Sequence, residues 1–127
     1  MADAEQLRMV ALEPDFSVCK VEDYSRLDLG QPFVFTGSTD EEKSLVCPTA
    51  IVPQNTVECD DGWKSLRING ILDFSLIGIL ARISSILAEN RIGIFAVSTF
   101  NTDYILTKSE CFEHAIELLK SAGYFVN

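Results

Sequence analysis

The stretch Asp73-Phe74-Ser75 stands directly ahead of an apolar helical run and carries groups suited to a small zwitterion. The Asp73 carboxylate accepts hydrogen bonds from an ammonium group. The first amides of a helix, here assigned to Ser75, Leu76 and Ile77, have no carbonyl partner of their own and donate to a carboxylate. Phe74 adds an apolar wall. The same residues also read as an ordinary helix start, with Ser75 as N-cap, Phe74 stapled onto Ile79, and Asp73 favoured by the positive end of the helix. The two uses are compatible, and both stand at this point.

The remaining reactive groups point away from catalysis. Cys111 and His114 are three residues apart on one predicted helix, a spacing at which an imidazole can activate a thiol. No oxyanion loop accompanies them, however. His114, the only histidine, lies off the Phe112/Ala115/Ile116/Leu119 stripe and reads as a surface residue. There is no Walker loop, no G-x-G-x-x-G after a strand, no G-x-S-x-G and no H-E-x-x-H. Asp40-Glu41-Glu42 has the charge of a cation site but reads as a solvated hairpin tip. The four cysteines, Cys19, Cys47, Cys59 and Cys111, form no C-x-x-C pair, and a reduced set is expected. No enzyme activity, metal or cofactor is expected.

The elements that must position the loop are legible around it. "KSLRING" (64–70) alternates as a strand with Leu66 and Ile68 on one side, and a helix follows from about Ser75 to Asn90. Gly78 falls inside that helix, where glycine costs about 1 kcal/mol against alanine and is accepted for close packing. "IGIFAVST" (92–99) and "DYILT" (103–107) form a hairpin through Phe100-Asn101-Thr102. A second helix runs from Ser109, its expected N-cap, to Gly123, and "YFVN" closes as a strand. The order β-α-β-β-α-β is a ferredoxin-like α+β fold.

The first half looks like a shortened copy of the second. "VFTGSTDEEKSLVC" (34–47) aligns without a gap on "IFAVSTFNTDYILT" (94–107), placing Phe35 on Phe95, Ser38 on Ser98 and Thr39 on Thr99. "FSVCKV" (16–21) supplies a first strand, "DYSRLD" a stunted helix, "CPTAIVP" a helix stub cut by Pro48 and Pro53, and "TVEC" (56–59) a last strand. A turn at Asp60-Asp61-Gly62 then separates an N-terminal module, 1–62, from a full C-terminal one, 63–127.

"SLIGILARISSILAENRIGIFAVST" resembles the ACT domain, a small-molecule-binding regulatory module of many amino-acid-metabolising enzymes. Gly78-Ile79-Leu80-Ala81-Arg82-Ile83 matches the opening of the family's first helix, and Asn90-Arg91-Ile92-Gly93-Ile94 its turn into the next strand. "GILDFSLIGILA" with "STFNTDYIL" further resembles short tandem-ACT proteins related to aspartate-kinase regulatory regions and to the arginine-sensing CASTOR proteins. Where the family often carries an acid and a proline before the helix glycine, this chain has Ser75 and Ile77, with its acid at Asp73. The resemblance implies an amino acid or similar metabolite held at a cleft between modules. Asp73, Phe74, Ser75, Leu76 and Ile77 would form one wall, and Gly93, Ile94 and Phe95 the other. It implies that the hairpin residues Ser98, Thr99 and Asp103, which otherwise read as turn and cross-strand residues, lie near a protomer or partner interface. A homodimer follows, regulating an enzyme or another protein. A ligand-free adaptor and a regulatory subunit of an amino-acid-pathway enzyme are the alternatives.

The bulk composition is consistent with one fused unit. The chain has 127 residues, 47% hydrophobic and 9% aromatic, with a net charge of −9. All of that excess lies in 1–62, with thirteen acids against four bases, while 63–127 holds six of each. So acidic a chain disfavours nucleic acid and anionic membrane surfaces, which need clustered Lys and Arg. The N-terminal "MADAEQLR" lacks the pattern of a signal peptide, and the apolar run Leu76–Ala81 is far short of the roughly 20 residues that span a bilayer. A cytoplasmic location is expected.

Overall fold

Residues 8–69 and 78–127 are described by the computed structural model, and they form eight strands and two α-helices. In order these are β1 (Arg8–Ala11), β2 (Phe16–Val21), β3 (Phe35–Ser38), β4 (Lys43–Pro48), β5 (Thr56–Ile68), α1 (Ile79–Glu89), β6 (Phe95–Ser98), β7 (Asp103–Lys108), α2 (Ser109–Ser121) and β8 (Phe125–Val126). The chain divides into two compact units, Glu13–Trp63 and the segment ending at Leu12 together with Lys64–Asn127. Strand β5 supplies residues to each. No helix among the described residues is long and apolar enough to cross a membrane.

The C-terminal unit is built on period-two and period-3.6 patterns that meet in one core. Leu66 and Ile68 of β5, Ile105 of β7, Ile83 and Leu87 of α1, and Phe112, Ala115 and Leu119 of α2 are all buried together. The strands lie in the order β6-β7-β5-β1-β8. Strand β1 is antiparallel to β5, with Met9 opposite Ile68, and parallel to β8, with Met9 opposite Val126. It is a strand that the βαββαβ reading does not include. It fits because Met9 is fully buried among the helices' apolar residues.

Both helices close in the same way. The Ile92 N–H reaches the Leu87 carbonyl at 2.9 Å and the Arg91 N–H reaches Ala88 at 3.0 Å; Tyr124 and Gly123 do the same to Leu119 and Lys120 at 3.1 and 3.0 Å. These are the paired bonds of a Schellman motif, accompanied by buried apolar contacts at Leu87/Ile92 and Leu119/Tyr124.

The N-terminal unit has the strand order β3-β4-β2-β5. Cys19, Val21, Leu45 and Cys47 are buried, covered by Tyr24, Leu27, Val34, Ile51 and Val52 rather than by a helix. The helix stub expected near Pro48 is a single 3-10 turn, Thr49–Ile51. The expected short helix at "DYSRLD" is instead a turn. The Asp23 carboxylate takes hydrogen bonds from the Ser25 amide at 3.0 Å and Asn55 Nδ2 at 3.1 Å, which draws the backbone out of helical register. Hydrogen bonds from Ser25 hold the Asp23 carboxyl below its usual range.

Two further expectations are corrected here. Asp60-Asp61-Gly62 is not a turn, because β5 runs unbroken from Thr56 to Ile68. Phe16 pairs with Trp63 and Val18 with Asp60, so Asp61 and Gly62 together face Ser17. The local turn signal is absorbed as a bulge, pinned by a Ser17 Oγ to Asp61 hydrogen bond. The second correction concerns α2, whose N-cap is Lys108 in extended conformation, with Ser109 already helical.

The two hairpins share one register. Phe35, Thr36, Gly37 and Ser38 pair with Val46, Leu45, Ser44 and Lys43, while Phe95, Ala96, Val97 and Ser98 pair with Leu106, Ile105, Tyr104 and Asp103. Every pair is displaced by 60 residues. Their turns match as well: Thr39 N–H donates to the Glu42 carbonyl and Thr99 N–H to the Thr102 carbonyl, each with its own threonine hydroxyl on that carbonyl.

Candidate functional site

The loop that carries the expected ligand contacts, Asp73 to Ile77, lies outside the described residues. Its two ends are fixed. Strand β5 delivers the chain at Ile68 and Asn69, where the Asn69 N–H donates to the Arg8 carbonyl at 2.7 Å. The chain returns at Gly78, the N-cap of α1, with φ +86°. Gly78 is therefore not inside the helix, and the cap assigned to Ser75 belongs to Gly78. The free amides that open α1 are those following Gly78, since the Arg82 N–H already reaches the Gly78 carbonyl at 2.9 Å. Helix 11 residues long, α1 presents them beside the end of the loop.

The tip of the β6–β7 hairpin is fastened to the same end of β5. Thr102 is buried and donates its hydroxyl to the Ile68 carbonyl at 2.8 Å. Around that bond is an open cleft of about 270 Å³, lined by Arg67, Ile68, Asn69, Thr99, Asn101, Thr102 and Tyr104. Its lining is a guanidinium, two carboxamides and three hydroxyls. Such groups orient a small polar molecule, and a carboxylate would suit Arg67 and the amides. A general acid–base pair is not among the lining residues.

Of the residues singled out in the sequence, Thr99 lines this cleft. Ser98 and Asp103 face each other as the last pair of the hairpin, beside the turn. Gly93, Ile94 and Phe95 are not in the lining. Phe95 pairs with Leu106, at the opposite end of the hairpin from the tip. Gly93 is exposed, and Ile94 packs against the core. Arg67, Asn69, Asn101 and Tyr104 were not anticipated. Arg67 and Asn69 were readable in principle, because the alternation that buries Leu66 and Ile68 turns them to the other face.

The groups read as non-catalytic are placed as follows. His114 is 58% exposed and stands 4.0 Å from Glu117 Oε1, while Cys111 packs against the core. Among the described residues no cluster of three or more His, Cys, Asp or Glu side chains could hold a metal. All four cysteines are free. Burial, followed by the hydrogen bond its thiol donates to Cys59, pushes the Cys19 thiol far up; burial, followed by the charge of Cys59, pushes Cys47 to about 11.

Comparison with known proteins bears on the family and the fold. The ACT domain family model matches residues 58–121. No curated protein sequence matches. A solved structure from Agobacterium tumefaciens is 31% identical, over 95% of this chain and 92% of that one, with a TM-score of 0.84. The ligand-free regulatory subunit of aspartate kinase from Thermus thermophilus is 8% identical over 94% and 99%, with a TM-score of 0.65. The aspartate kinase of Clostridium acetobutylicum is 14% identical over 91% of this chain and 34% of its own, with a TM-score of 0.67. The last two likenesses concern fold alone. With a family model matched across half its length by β5, both helices and the hairpin between them, the chain belongs to the ACT domain family.

Proposed function

We propose that this chain is a non-catalytic regulatory protein that binds an amino acid or similar small metabolite where β5 gives way to α1. The ligand carboxylate would sit on the opening amides of α1 or on Arg67, and Asp73 would take the ammonium. The observation that carries this reading is the polar cleft at the end of β5, lined by Arg67, Asn69, Asn101 and Tyr104. Its partner would be an enzyme of amino-acid metabolism or another protein whose activity follows the ligand. The common register of the two hairpins supports a tandem origin in which the N-terminal module has lost its helices. Homodimerisation through sheet edges, such as that of β6, fits the same picture.

A thermal-shift screen against the twenty amino acids tests it. A ligand at 100 times its dissociation constant adds about 2.7 kcal/mol of stability, and Asp73→Ala and Arg67→Ala are each expected to remove the response without unfolding the protein. Silence of the wild type at millimolar concentrations would favour the second reading, an adaptor that only mediates association. That reading has one observation of its own: Phe100, 84% exposed at the hairpin tip beside Thr99.

A further inference from the structure

We propose that Cys19 and Cys59 form a reversible disulfide, making the N-terminal unit a site of thiol oxidation by small disulfides of the glutathione type. The two residues are direct partners across the antiparallel β2–β5 ladder. Their sulfurs lie 3.1 Å apart, both in the reduced state. Cα atoms of directly opposed antiparallel residues are about 4.5–5.5 Å apart, within the roughly 4.4–6.8 Å range over which disulfides close. Closure therefore asks for a rotation of two side chains and no sheet rearrangement.

The environments of the two sulfurs assign their roles. Cys59 is exposed, and its thiol donates to the Asp61 carboxylate at 3.3 Å. Cys19 is buried against Leu45 and Cys47. The Cys59 thiol gives up its proton to solvent as its sulfur attacks one sulfur of oxidised glutathione, forming a mixed disulfide and releasing one glutathione thiolate, which takes up a proton in turn. The Cys19 sulfur then attacks the Cys59 sulfur, its proton passing to the second glutathione as that leaves. Two protein thiols and one glutathione disulfide become one protein disulfide and two glutathione thiols. Cys47 is fully buried, and its strand places it opposite Ser17 rather than Cys59, so it stays reduced.

The test uses the whole folded chain and oxidised glutathione. After treatment, denaturation and alkylation, the number of labelled thiols is expected to fall from four to two. Cleavage at Glu58 separates Cys47 from Cys59, so the linked peptide identifies the pair. Dithiothreitol should restore all four thiols. Cys47→Ala and Cys111→Ser should still form the bond, and Cys59→Ser, checked for its native circular dichroism, should form none. A reaction that stops at a glutathione adduct on Cys59, a Cys19–Cys47 bond, or no reaction of the folded chain would overturn the proposal. None of these outcomes depends on the amino-acid reading, whose screen is run on the reduced protein.

Discussion

The Thr102 hydroxyl donates to the Ile68 carbonyl at 2.8 Å, across 34 residues of sequence. One bond thus ties the hairpin tip to the strand end from which the candidate loop departs. Both groups are out of water, so removing the donor leaves a carbonyl that solvent does not readily satisfy. Thr102→Val keeps the shape and deletes the hydroxyl; it is expected to cost about 1–2 kcal/mol, read from urea unfolding midpoints. Thr102→Ser, which keeps the donor, should retain most of that stability. A Thr102→Val protein as stable as the wild type, with the loss appearing in Thr102→Ser, would show that the side chain acts through its methyl group instead.

Arg91 stands where Gly123 stands, one residue past the C-cap of its helix, with φ +61° against +104°. An L-side chain in the left-handed region costs roughly 1–2 kcal/mol, and glycine does not incur that cost. Arg91→Gly is therefore expected to stabilise the protein by about 1 kcal/mol, with the greater freedom of glycine in the unfolded chain offsetting part of the gain. Gly123→Ala should destabilise by a similar amount. Thermal midpoints of the two variants should move in opposite directions.

The Cys47 thiol gives a pH dependence with a definite sign. Burial raises it from its ordinary 9.0 to about 11, so the folded state holds the proton more tightly than the unfolded chain does. Its contribution to stability is whole below pH 9 and is lost as pH rises towards 11. Cys47→Ala is expected to be less stable at neutral pH, because it leaves a small void in a packed sheet core. Its stability should then fall less steeply than that of the wild type between those two values. Parallel alkaline slopes would mean that the thiol ionises alike in both states.

The hairpins were legible because their signals are local: alternating apolar residues flank a short polar tip, and the 60-residue displacement carried the same register into both halves. What was not legible was non-local. Asp60-Asp61-Gly62 has the composition of a turn, yet pairing with β2 keeps β5 extended through it, and only the Ser17 partner reveals a bulge. Strand β1 joins the C-terminal unit through Met9, whose burial depends on residues more than fifty positions away. In the candidate site the polar face of β5 could be read from its alternation. The fastening of Thr102 to Ile68, which sets the cleft beside that face, could not.

Gly78 separates the two descriptions of the helix start by the sign of a single substitution. Inside a helix, Gly→Ala stabilises by about 1 kcal/mol, since alanine has the higher helix propensity. As an N-cap at φ +86° the same change places a Cβ in the left-handed region, although no neighbouring atom lies within 4 Å of it. The strain is then conformational rather than steric, and Gly78→Ala is expected to destabilise by about 1–2 kcal/mol. Asparagine tolerates left-handed backbone and is a favoured cap, so Gly78→Asn should lie close to the wild type. Denaturant unfolding of the two variants decides the matter. A more stable Gly78→Ala protein would return this residue to the helix interior and move the free amides back towards Ser75, away from the position now assigned to the ligand carboxylate.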